Sequence, residues 1–162
     1  MGKQSDHPYR KGTGEVLETI TVPDLSGPEL IAAAEKALVL TYLDADYAKY
    51  EFLRDERGKT YEVMVWKPGR EVVPGKEVRA YFKERGFHGN AAAFIAWATK
   101  HNPNGYHATI LEDDRLFRGA GGGLFAPDFV RDDGRRKLSL YYGVRNRWLD
   151  GWAFVAFREI HS

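Results

Sequence analysis

The chain has 162 residues, no cysteine and a formal net charge of +1. This length corresponds to one domain, and a hydrophobic content of 43% supplies a single core. The absence of cysteine excludes disulfides, thiolate metal sites and cysteine nucleophiles. No apolar run is long enough to cross a bilayer, and the polar first residues do not form a signal peptide. We therefore expect a soluble protein without a membrane partner, with the cytoplasm as its default compartment.

The first helix has the clearest boundary signal in the chain. Residues 1–14 are polar and predict a flexible N-terminal arm, so that residues 15–162 form the folded domain. Ser26 and Glu29 form a capping box, and Pro28 is tolerated in the first turn. Apolar residues then recur at helical spacing, which predicts a helix that continues to about Tyr42.

A β-hairpin is predicted next. Residues 47–54 and 59–66 flank a turn whose glycine, Gly58, stands where a positive φ is needed. In the second arm the alternation places Tyr61, Val63 and Val65 on one face of the sheet, with Met64 and Trp66 on the other.

The rest of the chain predicts two helices followed by strands. The helices cover residues 76–85 and 91–101, and Asn90 caps the second of them. The strands cover residues 106–111, 137–144 and 152–158, and the last two are joined across Gly151. This order lacks the strict strand–helix alternation of a parallel sheet. We therefore predict a single α+β domain, with a mainly antiparallel sheet of about five strands and three helices packed on one face.

The first candidate ligand segment is rich in glycine. Consecutive glycines allow backbone N–H groups to turn towards an anion, and a neighbouring guanidinium adds a contact to phosphate. The candidate residues are Arg118, Gly121, Gly122 and Gly123. The segment matches neither a Walker loop nor a Rossmann turn, and a surface loop without a ligand is the simpler explanation.

The second candidate segment combines arginines with aromatic residues. Residues 15–57 carry a charge of −6 and residues 114–147 a charge of +4. Alternation along the strand at 137–144 places Leu138 and Leu140 on one face and exposes Tyr141 on the other. This exposed tyrosine, together with Arg145, Arg147 and Trp148, predicts a surface that binds single-stranded nucleic acid. A solvated sheet face is the simpler alternative.

One ordered set of residues resembles a known family. His88-Gly89 precedes an apolar helix, and Gly121, Gly123 and Phe125 follow, then Ser139 and Tyr142. This order resembles that of the poly-ADP-ribose polymerase-like ADP-ribosyltransferases. The resemblance implies that His88 contacts the ribose of NAD and that Phe125 or Tyr142 stacks at the nicotinamide end. It also implies that Glu159 is the glutamate near the end of the chain that orients the ribose. The chain departs from the family at Asn90, where Ser or Thr is usual, and residues 1–75 are not covered.

Three classes of function follow from these patterns. No metal-ligand spacing and no nucleophile motif is present, so we predict no metal and no cofactor and lean against an enzyme. The favoured hypothesis is a non-enzymatic interaction or assembly module that binds a protein partner or a second copy of itself, because charge is segregated and aromatic residues are abundant. The alternatives are a nucleic-acid or nucleotide-binding domain and an NAD-dependent transferase.

Overall fold

The computed structural model describes residues 15–48, 56–68, 75–111, 126–141 and 151–161. The first half contains strand β1 (Glu15–Thr21), helix α1 (Gly27–Leu38), strand β2 (Tyr42–Leu43), a 3-10 helix (Ala45–Ala48) and strand β3 (Thr60–Trp66). The second half contains helices α2 (Gly75–Lys83) and α3 (Ala91–His101) and strands β4 (Gly105–Ala108), β5 (Ala126–Asp132), β6 (Arg135–Tyr141) and β7 (Trp152–Glu159).

All seven strands of the described residues belong to one sheet, in the order β1-β3-β7-β4-β5-β6-β2. Most neighbours are antiparallel, whereas β2 runs parallel to β6 and β4 parallel to β7. The predicted class, α+β, is confirmed. The sheet is mixed, and the expected number of about five strands is too low.

The helices lie on both faces of the sheet, and the prediction that all three share one face is wrong. Helices α1 and α3 pack against Val63, Val155 and Phe157. Helix α2 packs against Trp66 and Phe154, which point to the opposite side. The predicted alternation along β3 is therefore correct. Both of its faces are apolar, and each needs its own helical cover to keep water out.

The prediction that residues 59–66 pair with residues 47–54 in a hairpin is also wrong, as the second arm shows; residues 49–55 lie outside the described part of the chain. Strand β3 already has β1 on one edge and β7 on the other, and both of these partners are distant in sequence. Tyr47 lies instead in the 3-10 helix. The turn glycine is placed as expected, with φ of 76° at Gly58. Its N–H donates to the carbonyl of Val22, the residue that follows β1. The turn before β3 is therefore held against the end of β1.

The two helix starts with capping residues are confirmed. The Ser26 N–H donates to Glu29 Oε1 at 2.8 Å, and the Glu29 N–H donates to Ser26 Oγ at 3.2 Å. Helix α1 ends at Leu38, earlier than expected, because Val39 adopts a left-handed conformation. Asn90 caps α3, whose first eight residues, Ala91–Ala98, are all buried. Helix α3 is therefore a core element.

A hairpin between β5 and β6 is the main element that the sequence patterns do not predict. Its two-residue turn, Asp133 and Gly134, has φ of 49° and 80°, the combination that suits a tight hairpin. Pro127 and Asp128 lie within β5, and both residue types count against a central strand. Strand β7 lies between β3 and β4, so β6 and β7 are joined in sequence but are not neighbours.

Candidate functional site

Most of the predicted ligand residues lie outside the described part of the chain. These residues are Arg118, Gly121, Gly122, Gly123, Arg145, Arg147 and Trp148, and Phe125 and Tyr142 of the transferase resemblance lie outside it too. Tyr141 is the last residue of β6 and pairs with Ala126, the first residue of β5. The two candidate segments, 112–125 and 142–150, therefore join the sheet at the same end of one hairpin. Their ligand roles stay predictions.

His88 and Gly89 have a structural role next to β7. The backbone of His88 exchanges both hydrogen bonds with that of Phe157, at 2.9 and 2.8 Å. A Cβ atom at Gly89 would lie 1.9 Å from the carbonyl oxygen of Ile110. A side chain cannot fit there, because the neighbouring atom belongs to backbone. Close packing of two backbone segments thus explains the His-Gly pair without a ligand.

Glu159 lies two positions beyond Phe157 on β7 and pairs with Tyr61 on β3. Residues paired in a ladder, and residues two apart along a strand, share one face of a sheet. His88, Glu159 and Tyr61 therefore share the face that carries α1 and α3. Of the residues that the transferase resemblance implies, His88 and Glu159 thus lie on the same face of the sheet, and their catalytic roles stay predictions.

A polar cluster joins the start of α3 to β3. Tyr61 Oη donates to Glu56 Oε1, and Asn90 Nδ2 lies 3.3 Å from Tyr61 Oη and 3.4 Å from Glu56 Oε1. Lys59 Nζ lies 3.7 Å from Glu56 Oε2. Burial raises the pKa of Tyr61, and its hydrogen bond to Glu56 raises it further, so the phenol stays protonated. Sequence patterns predict Asn90 only as a cap, because Glu56 and Tyr61 reach it through tertiary contacts.

A buried carboxyl group lies in the middle of the opposite face. Asp128 of β5 is 4% exposed and is paired with Ala108 on one side and Ser139 on the other. Burial raises the pKa of Asp128 from its ordinary value of 3.8 to about 7, Lys137 opposes the rise, and Asp44 adds to it. Nothing in the sequence pattern indicates this burial, because β5 itself is not predicted.

An aromatic row crosses the sheet next to Asp128, on the face that carries α2. The strand register aligns one residue from each of five neighbouring strands: Tyr42, Lys137, Val130, Tyr106 and Trp152. The rings of Tyr106 and Trp152 lie 5.2 Å apart, edge to face. Lys137 Nζ lies 5.7 Å from the centre of the Tyr42 ring.

The aromatic row is only partly covered. Tyr42 is 47% exposed, and Tyr106, Lys137 and Trp152 are partly exposed. Helix α2 packs on the adjoining rows, which contain Met64, Trp66, Phe154 and Ala156. Tyrosine and tryptophan are the residues that most often dominate protein interfaces. The row is thus the described surface best suited to a protein contact.

The fold defines the class of protein as an α+β domain, and comparisons with known proteins assign no family within that class. No family model matches the chain, no curated protein matches its sequence, and no solved structure matches its fold.

Within the described ranges, no group of three or more histidine, aspartate or glutamate side chains is placed to hold a metal ion. Among the helices that the structure describes, none has the length and apolar character needed to span a membrane.

Proposed function

We propose that the protein is a non-enzymatic interaction module that associates with a second copy of itself through the aromatic row. The observation that supports this most is the alignment of Tyr42, Tyr106 and Trp152 on a partly exposed sheet face. Aromatic side chains supply a large apolar area at little cost in conformational entropy, since each ring has only two rotatable bonds. A sheet face also holds such rings rigidly, because cross-strand pairing sets their spacing.

A second copy suits this surface better than a strongly charged partner. The row contains one cation, Lys137. Asp132 lies beside the row, accepts a hydrogen bond from Tyr106 Oη at 2.8 Å and forms an ion pair with Arg135 at 3.4 Å. Charges of both signs are therefore present, and Asp132 is paired with Arg135. The net charge of +1 also means that two copies meet with little long-range repulsion.

Sedimentation velocity over a wide range of protein concentration tests the proposal. We expect reversible self-association in the wild type. The variant Tyr42→Ser removes the most exposed ring of the row, and its dissociation constant should rise at least about tenfold, as for an interface hot spot. Ile160→Ser is the matched control, because Ile160 is 40% exposed, follows β7 and lies outside the row. A wild-type chain that stays monomeric at every concentration contradicts the proposal.

The two other classes of function keep their status as predictions. The nucleic-acid hypothesis depends on Arg118, Arg145 and Arg147, which lie outside the described residues. The transferase hypothesis draws support from the shared face of His88 and Glu159. The close packing of Gly89 against Ile110 is an alternative explanation of the His-Gly pair, which needs no ligand.

A further inference from the structure

Val39, at the end of α1, combines two unfavourable features. Its backbone has φ of 51° and ψ of 59°, in the left-handed region. That region costs an L-residue energy because Cβ approaches the following carbonyl oxygen, and helix ends of this kind normally use Gly or Asn. A β-branched residue suits this position least. Its side chain is also 64% exposed, the highest fraction among the exposed large hydrophobic residues of the described chain.

The turn that contains Val39 is fastened to the sheet at several points. The Val39 N–H donates to the carbonyl groups of Glu35 and Lys36, and Arg136 Nε donates to the Val39 carbonyl at 2.8 Å. Thr41 exchanges hydrogen bonds with the backbone of Arg136. The direction of the valine side chain is therefore set by the surrounding structure, as in a surface prepared for contact.

Val39 is adjacent to the outer end of the aromatic row. Arg136 holds the Val39 carbonyl, and the next residue of β6, Lys137, pairs with Tyr42. The exposed apolar side chains of Val39 and Tyr42 thus border the same edge of the sheet. Hydrogen bonds within the monomer hold this conformation, whereas the side chain of Val39 gains little from packing there, because the residue is 64% exposed.

We infer that Val39 is an apolar anchor of the self-association interface, held in a strained conformation that contact with a second copy offsets. This inference rests on the proposed function and adds a specific residue at the β2 edge of the row. The surface around Val39 supports a second copy as the occupant. It carries exposed Glu35 and Asp133 together with exposed Lys36 and the guanidinium of Arg136, so a twofold contact can place opposite charges against each other.

The variant Val39→Asn separates the two features, because asparagine tolerates the left-handed conformation and is polar. Under dilution to the monomer, its melting temperature should rise by about 3 °C as strain is relieved. Its dissociation constant should rise at least about tenfold as the anchor is lost. Val39→Ile keeps an apolar β-branched side chain and should associate as the wild type does.

Val16→Asn is the matched control. Val16 is 47% exposed and lies in β1, at the opposite edge of the sheet, so its replacement should leave the dissociation constant unchanged. If Val39→Asn associates like the wild type while Tyr42→Ser is weakened, the inference about Val39 is wrong and the proposed function stands. If no chain associates, including the wild type, the proposed function fails.

Discussion

Asp128 shows how one side chain in a sheet can link stability to pH. Its neighbours across the strands are Ala108 and Ser139, and its carboxyl group is removed from water. An ionised carboxylate loses its hydration there, so the neutral form is favoured. This effect is opposite to the usual one for surface aspartates, whose pKa values are lowered by cations.

The sign of the pH dependence follows from the raised pKa of Asp128. Between pH 3.8 and about 7 the folded protein binds a proton that the unfolded chain has lost, so the contribution of Asp128 to stability falls as pH rises through this window. In Asp128→Asn this loss should be absent. Urea denaturation at about pH 5 and pH 8 measures the free energy of unfolding of both proteins. The difference between the variant and the wild type should shift in favour of the variant by about 2 kcal/mol or more from the lower to the higher pH. An equal difference at both values would show that Asp128 ionises normally.

At the scale of elements, α3 is the helix on which the core depends. All of its first eight residues are buried, and its start is fastened at Asn90. The side chain of Asn90 accepts from the Ala93 N–H at 2.9 Å and donates towards Glu56 and Tyr61, while its backbone N–H donates to Thr109 Oγ1 at 3.2 Å. The cap of α1 at Ser26, by contrast, is exposed.

A comparison of the two caps separates the stability that comes from the capping hydrogen bond from the stability that comes from the tertiary contacts of Asn90. Ser26→Ala should cost about 1 kcal/mol, the usual value of an exposed cap. Asn90→Ala should cost about 2–3 kcal/mol, because it also leaves Glu56 and Tyr61 without their amide partner. Asn90→Ser keeps a capping oxygen and should fall between these values. Chemical denaturation of the three variants measures the differences, and equal costs for Ser26→Ala and Asn90→Ala would contradict a fastening role.

At the scale of the whole molecule, the response to salt distinguishes the proposed self-association from nucleic-acid binding. An apolar contact with paired charges around it is only weakly screened by salt. Binding to a phosphate backbone releases counterions and weakens steeply as salt rises.

We therefore expect the dissociation constant of self-association to change by less than about threefold between about 50 and 200 mM salt. Sedimentation velocity at the two salt concentrations measures it, with a single-stranded oligonucleotide as a parallel sample. A complex with the oligonucleotide at low salt that is lost at high salt would instead favour the nucleic-acid hypothesis.

The elements that sequence patterns predict correctly have local causes. The capping box at Ser26, the cap at Asn90 and the positive φ at Gly58 each involve residues close together in the chain. The alternation along β3 is local too, which is why the two faces of Val63 and Trp66 are predicted correctly.

The sequence by itself therefore determined the α+β class, the helix starts and the faces of β3. Only the tertiary structure decided that β3 pairs with β1, that α2 lies opposite α1 and α3, and that five strands align an aromatic row. The physical reason is that strand order, register and helix placement depend on contacts between residues far apart in the chain, which hydrophobic periodicity does not encode.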